Sequence, residues 1–195
     1  MKMEFTLTTK RLRLRQLTQD DFADLCEMLY DSDVMCAWEH TFTETQVQEW
    51  IDRQFERYER TGVGVWAAIE KETNAMVGQF GLVWADIEGE VVLELVYMLK
   101  KNHWGKGFVV EGGKACLDYA FGEMGVDKVY ATIRPENQSS GKVAENLGFE
   151  VTGEYIKHYN GKDMPHLIYV LPRERSAFCK REKNLADNKK TALNV

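Results

Sequence analysis

Two glycines separated by one residue close a short basic segment, Lys100-Lys101-Asn102-His103-Trp104-Gly105-Lys106-Gly107-Phe108. Glycines at such a point let the backbone approach a ligand, and the first N–H groups of a following helix have no partner inside it. The helix dipole adds partial positive charge there, so a phosphate or pyrophosphate is the chemically natural guest. Lys100, Lys101 and Lys106 strengthen that expectation in a chain whose net charge is −6. Neither the GxxxxGK[ST] phosphate loop nor the GxGxxG dinucleotide fingerprint occurs. By spacing alone, a tight turn that packs strand against helix is an equal reading.

The second chemical candidate is Glu94, in Val92-Leu93-Glu94-Leu95-Val96-Tyr97-Met98. Strand alternation puts it on one face with Val92, Val96 and Met98. Apolar surroundings disfavour the charged form of a carboxylate, which suits a general base working near neutrality. A salt-bridged or edge glutamate is the competing reading. Trp38, Glu39 and His40 lie together in a connecting stretch, and Asp86, Glu88 and Glu90 lead toward Glu94. An acidic, aromatic pocket of that kind favours a cationic amine, although a solvated turn is the simpler account of the exposed members of Asp86 to Glu90. His158 precedes a hairpin turn and is either a pocket-lining proton acceptor or a surface imidazole.

Local signals predict the elements that position these residues. Arg11-Leu12-Arg13-Leu14-Arg15 alternates as a half-buried strand. Thr18 with Asp21, and Thr43 with Gln46, are capping boxes that open two helices. The first helix runs to about Tyr30; the second carries Val47, Trp50, Ile51, Phe55 and Tyr58 on one face. After Gly62 the period becomes extended, giving strands over 63–69, 75–84 and 91–99. A helix over 106–124, a strand over 128–134 and a helix over 137–147 follow, with Gly125 and Gly148 as helix stops. Asn160-Gly161 marks a hairpin between two final strands. The expected fold is α/β (α+β): a mixed central sheet with helices on both faces. One domain over 1–172 is expected, followed by a charged tail over 173–195 that is a short helix or disordered.

Composition narrows the function. With 195 residues, 44% hydrophobic and 29% charged, the chain reads as one ordinary globular domain. The acidic balance, with a pI near 5.3, argues against a nucleic-acid binder. No apolar stretch is long enough to span a membrane, and Met1 to Thr6 lacks the apolar core of a secretory signal, so a cytoplasmic location is expected. Cys26, Cys36, Cys116 and Cys179 show no metal-ligand spacing, so neither a metal site nor a disulfide framework is expected. Cys26 and Cys116 read as small core residues.

Trp104-Gly105-Lys106-Gly107-Phe108 resembles the pyrophosphate loop of the GNAT superfamily of acyl-CoA N-acyltransferases, most closely the branch that acetylates ribosomal-protein N-termini. Thr9-Lys10-Arg11-Leu12-Arg13-Leu14-Arg15 is similar to that branch's first strand. Pro135-Glu136-Asn137-Gln138-Ser139-Ser140 matches its Pro-Glu-Asn-x-x-Ser opening of the last helix, and Leu147-Gly148-Phe149 its Leu-Gly-Phe close. The likeness runs from about Thr8 to Leu171.

The resemblance implies a twisted sheet with splayed middle strands and acetyl-CoA in the gap. The pantetheine would pair with backbone at Met98 and Leu99, and the pyrophosphate would meet the amides of Gly105, Lys106, Gly107 and Phe108, next to Trp104. Asn102 replaces the Gln or Arg that usually starts this loop. Glu94 would accept the amine's proton, commonly through water, and a strand N–H near Met98 would stabilise the oxyanion. Many relatives protonate the leaving thiolate with a tyrosine; here that position is Ala144. Ser140 is the substitute candidate, though it also reads as part of a helix cap; Asn137 is both a cap and a candidate pantetheine contact. Trp38, Glu39 and His158 are the candidate acceptor residues. The implied activity is acetyl transfer from acetyl-CoA to a primary amine, foremost a protein N-terminus. A polyamine or aminoglycoside acceptor, or a non-catalytic acyl-CoA-binding module, stands as the alternative. No nucleic-acid, membrane or metal partner is expected, and the chain is a monomer or homodimer.

Overall fold

The computed structural model describes residues 6–182, which form one eight-stranded sheet with helices on both faces. The strands are β1 (Thr6–Thr8), β2 (Leu12–Gln16), β3 (Val65–Glu70), β4 (Met76–Ile87), β5 (Glu90–Leu99), β6 (Lys128–Ile133), β7 (Glu150–Tyr159) and β8 (Lys162–Pro172). The helices are α1 (Phe22–Leu29), α2 (Glu44–Thr61), α3 (Phe108–Gly122) and α4 (Gln138–Leu147). Sheet order is β1-β2-β3-β4-β5-β6-β8-β7. Adjacent strands pair antiparallel except β5 and β6, which are parallel and share a single register pair, Glu94 with Tyr130. The expected mixed α/β sheet and its splayed middle are therefore present.

Leu12 and Leu14 are fully buried while the intervening Arg13 is exposed, as the alternation of β2 requires. Both capping boxes form. The first opens a 3₁₀ turn, Gln19–Asp21, before α1 begins, and the second opens α2, which stops at Gly62 with φ +75°. In the first box, burial acts to raise the Asp21 pKa. Hydrogen bonds from Arg15 and Thr18 outweigh it and hold the carboxyl below its usual range.

Two apolar layers sandwich the sheet. On one face α3 and α4 cover Leu14, Trp66, Phe80, Leu82 and Leu95; on the other α1 and α2 cover Ala67, Ile69 and Met76. Phe80 is fully buried, and such burial contributes about 1.5–3 kcal/mol. It fits beneath α3 because Gly112 has no side chain: a Cβ there would stand 2.8 Å from the Phe80 ring.

Several boundaries differ from the sequence expectation. Strand β1 was not anticipated, since three residues are too few to show a period. β4 and β5 pair to their tips, Ile87 with Glu90, around Glu88 and Gly89, both at positive φ. That geometry is a two-residue hairpin turn, which Glu-Gly does not advertise. α3 begins two residues later than expected, because Gly107 is left-handed at φ +77°. The start of the charged tail packs on the domain: residues 177–182 are helical, Phe178 joins the α3 layer, and Arg181 pairs with Asp118. Residues 183–195 of that tail lie outside the described residues.

Candidate active site

Where β5 and β6 part, Glu94 fills the place of a strand partner. Its Oε1 accepts the Thr132 backbone N–H at 2.9 Å and the Thr132 hydroxyl as well. Glu94 is 8% exposed, and none of the described residues donates to Oε2. The gap beyond is a cavity of about 250 Å³, open to solvent, whose lining includes Glu94, Tyr97, Met98, Asn137 and Ser140.

At the C-terminal end of β5, Leu99 accepts the Trp104 indole N–H at 3.0 Å, which sets the start of the glycine loop. Gly105 and Gly107 are left-handed (φ +73° and +77°), and a Cβ on Gly105 would meet nothing within 4 Å. The ground before the loop is open. The first α-helical bond of α3 is Glu111 N–H to Gly107 O, so the amides ahead of it are available to a ligand. Phe108, 2% exposed, anchors the helix start.

The charge supporting this loop is not what the sequence led one to expect. Lys100 is buried and held by Asp24 (2.6 Å) and Glu27 (2.5 Å) of α1, and Lys101 pairs with Asp33. Both are neutralised by carboxylates brought from elsewhere in the chain, leaving Lys106 as the lysine of the loop without an ion pair among the described residues. A cation missed in the sequence reading stands behind the loop instead. Arg11 donates to the Lys106 carbonyl at 2.9 Å and to Glu111 at 2.7 Å, and its guanidinium lies 4.4 Å from the Phe108 ring centroid. Burial acts to raise the Glu111 pKa, but Thr9 and Arg11 outweigh it and keep the carboxyl low.

At the opening of α4, Asn137 Oδ1 accepts the Ser140 N–H at 3.1 Å and the Ser139 hydroxyl at 2.9 Å. Asn137 is thus a helix cap that also lines the cavity. Ser140 accepts the Tyr97 hydroxyl on its backbone carbonyl at 2.9 Å, and its side chain lines the cavity beside Tyr97. Tyr97, overlooked in the sequence, is driven upward in pKa by burial and crosses the gap opposite Ser140. Ala144 is buried and inert.

The far side of the cavity is built by the segment between α1 and α2 and by the β7–β8 hairpin. Trp38 lines the cavity and stands edge-on to Tyr159, centroids 5.2 Å apart; His40 stacks on Tyr159 and meets its hydroxyl at 2.9 Å. Glu39 is a strut: its oxygens meet Arg134 at 2.6 Å and Lys162 at 2.7 Å, and those cations keep its carboxyl low, Lys162 most. His158 does not line the cavity; its side chain is 78% exposed and meets Asp163 at 2.5 Å. The imidazole that does line it is His166, 9% exposed on β8. Its Nδ1 lies 3.0 Å from the Met164 carbonyl, which can only accept, so Nδ1 carries the proton and Nε2 is left as an acceptor. Burial holds its pKa below the usual histidine value.

The expected acidic pocket is corrected too. Asp86, Glu88 and Glu90 sit around the β4–β5 turn and none lines the cavity; Glu94 is the carboxylate that does, alongside Arg57, Arg134 and Lys157. Among the described residues no group of three or more His, Cys, Asp or Glu gathers as a metal site, and no helix is long and apolar enough to cross a membrane.

A sheet opened at a buried glutamate, with a left-handed glycine loop at the end of the same strand, is the arrangement that the resemblance to acyl-CoA N-acyltransferases implies. Residues 11–150 match the family described as the acetyltransferase (GNAT) domain, and the chain belongs to that family: it is an acetyl-CoA-dependent N-acetyltransferase. The protein YkkB of Bacillus subtilis (strain 168) is 38% identical over 170 residues, covering 87% of this chain and 96% of that protein. A GNAT-family acetyltransferase structure from Bacillus anthracis superposes with a TM-score of 0.73 at 25% identity, over 87% of this chain and 99% of that one. A spermidine N-acetyltransferase from Vibrio cholerae, solved with CoA and spermine, shares the fold with a TM-score of 0.69 at 18% identity, over 85% of this chain and 97% of that one.

Proposed function

We propose that the chain moves the acetyl group of acetyl-CoA to a primary amine by direct attack in a ternary complex, with a protein N-terminal amine as the leading acceptor. The observation that carries this reading is the buried Glu94 beside the cavity, on the strand that ends at the glycine loop. Pyrophosphate meets the amides from Gly105 to Phe108, and the pantetheine lies along Met98 and Leu99. Held in the cavity, a neutral amine is close enough to attack an already activated thioester, so proximity supplies much of the rate. The new C–N bond forms as C–S breaks, and the amine's surplus proton passes to Glu94 directly or through water. A strand N–H near Met98 is the oxyanion donor in this reading. Ser140, which lines the cavity, passes a proton to the departing thiolate and regains one from solvent.

The test is release of free thiol from acetyl-CoA across a panel of amines, with mass spectrometry of the products. Acetylated amine in step with thiol is the expected result. Coenzyme binding without thiol release for any amine would instead mark a non-catalytic acyl-CoA-binding module.

A further inference from the structure

The cavity has more positive charge than its neighbours neutralise. Three cations line it, Arg57, Arg134 and Lys157, against the carboxylate of Glu94. Arg134 is spoken for, by Glu39 at 2.6 Å and Glu136 at 3.3 Å. Arg57 and Lys157 are not: among the described residues neither has a carboxylate within ion-pair distance. Arg57 donates only to the neutral Gln54, at 3.2 Å, and faces the like charge of Arg53, which with burial disfavours its charged form. Lys157 hangs 6.0 Å over the Trp38 ring. Elsewhere a cation drawn into the domain usually has a carboxylate beside it: Arg15 meets Asp21, and the buried Lys100 meets Asp24 and Glu27.

A half-buried guanidinium without a counter-ion is costly unless something brings one. Arg57 comes from α2 and Lys157 from β7, so the two unmatched cations reach the cavity from different elements. Glu94 is close enough to Arg57 to favour its charge. An amine that meets Glu94 therefore sits near a cation seeking an anion. Guanidinium pairs with carboxylate in two parallel hydrogen bonds, which fixes orientation as well as affinity.

We propose that the acceptor is a primary amine carrying a carboxylate close to the amine, the amine directed to Glu94 and the carboxylate to Arg57 with Lys157 in support. The inference rests on the acetyltransferase reading above and names its substrate class. The same chemistry is offered by a free amino acid and by a peptide N-terminus with an acidic residue in its first positions. A polyamine carries a second ammonium into the field of Arg57 and Lys157, and is disfavoured.

The test compares acceptors that differ only in the carboxylate: free amino acids against their amides, N-terminal peptides beginning Ala-Asp against Ala-Asn, and spermidine. The acid of each pair should exceed its amide by tenfold or more in kcat/KM, with the amino-acid and peptide arms showing which source is used. In Arg57→Met that preference should collapse to within about twofold, and Arg57→Lys should restore part of it. Should Arg57→Met fail to fold, Lys157→Met reads the same ratio with a smaller expected drop. Equal rates for acid and amide, or spermidine as the best acceptor, overturn the substrate class while leaving the acetyltransferase reading intact. Absence of turnover with every amine overturns that reading instead. Calorimetric titration of glutamate and of its diamide into the CoA-saturated protein then decides the inference separately: glutamate binding that Arg57→Met abolishes supports it, and no difference between the two refutes it.

Discussion

Glu94 Oε1 accepts both the backbone N–H and the hydroxyl of Thr132, so one carboxylate oxygen stands in for the missing ladder at the point where β5 and β6 separate. The other oxygen is left toward the cavity, free of protein donors among the described residues. In the proposed reaction, holding the gap open and accepting a proton fall to different atoms of the same side chain.

That division makes Glu94→Gln the informative variant. The amide keeps an oxygen for Thr132, so the fold and coenzyme affinity should persist, while kcat falls by about a hundredfold or more if proton removal limits the reaction. Glu94→Ala, by contrast, strands the Thr132 N–H and should also lower stability by about 1–3 kcal/mol. Steady-state kinetics, CoA calorimetry and urea unfolding of the two variants separate the roles. Full turnover in Glu94→Gln would make the glutamate a spacer only.

The glycine loop predicts a different loss. Gly107 is left-handed at φ +77°, and a Cβ there would sit 3.6 Å from the Arg11 guanidinium. Valine at this position is strained by about 1–3 kcal/mol and intrudes on the approach of a phosphate. Gly107→Val should weaken acetyl-CoA binding at least about tenfold with little change in kcat at saturation. Unchanged affinity in a calorimetric titration would remove the pyrophosphate assignment.

Arg11 tests the support behind that loop. It ties Lys106 to Glu111 and covers Phe108, yet it is partly exposed, so its contribution to stability is screened. Arg11→Met should raise the KM for acetyl-CoA several-fold, leave kcat nearly unchanged, and lower the unfolding midpoint slightly. A fall in kcat at unchanged KM would contradict the role of loop support.

What was readable in the chain was local. The capping pairs Thr18/Asp21 and Thr43/Gln46, the Gly62 stop and the Asn160-Gly161 turn all act within a few residues, so spacing alone reveals them. The Gly105-Lys106-Gly107 loop was legible for the same reason. Long-range contacts were not. Lys100 looked like a phosphate ligand until Asp24 and Glu27, over seventy positions earlier, took its charge. His166 and His158 are equivalent as letters, and only the register of β8 against β7 decides which one meets the cavity. Arg57 lies two turns on from Trp50, at the edge of the apolar stripe, and its lack of a counter-ion is a property of the assembled site.

His166 carries the pH prediction. Burial is the main cause of its lowered pKa, followed by the fields of Lys157 and Arg134, while the Met164 carbonyl and Glu94 act the other way. Below the ordinary value of 6.5 the unfolded chain therefore takes up a proton that the folded protein resists. Protons bound are greater in the unfolded state, so stability must rise with pH through this window and fall as pH drops below 6.5 toward the lowered folded value. His103, also lowered by burial, adds a slope of the same sign, so the difference between parent and His166→Phe isolates the one residue. Urea unfolding at half-unit steps from about pH 5 to 7.5 should show a shallower dependence in the variant. Because Nε2 is the unprotonated nitrogen, the same variant also tests proton transfer: if Glu94→Gln keeps a residual acid limb in its pH–rate profile, His166→Phe in that background should abolish it. An unchanged stability slope in His166→Phe would mean that the imidazole titrates as freely in the folded protein as in the unfolded chain.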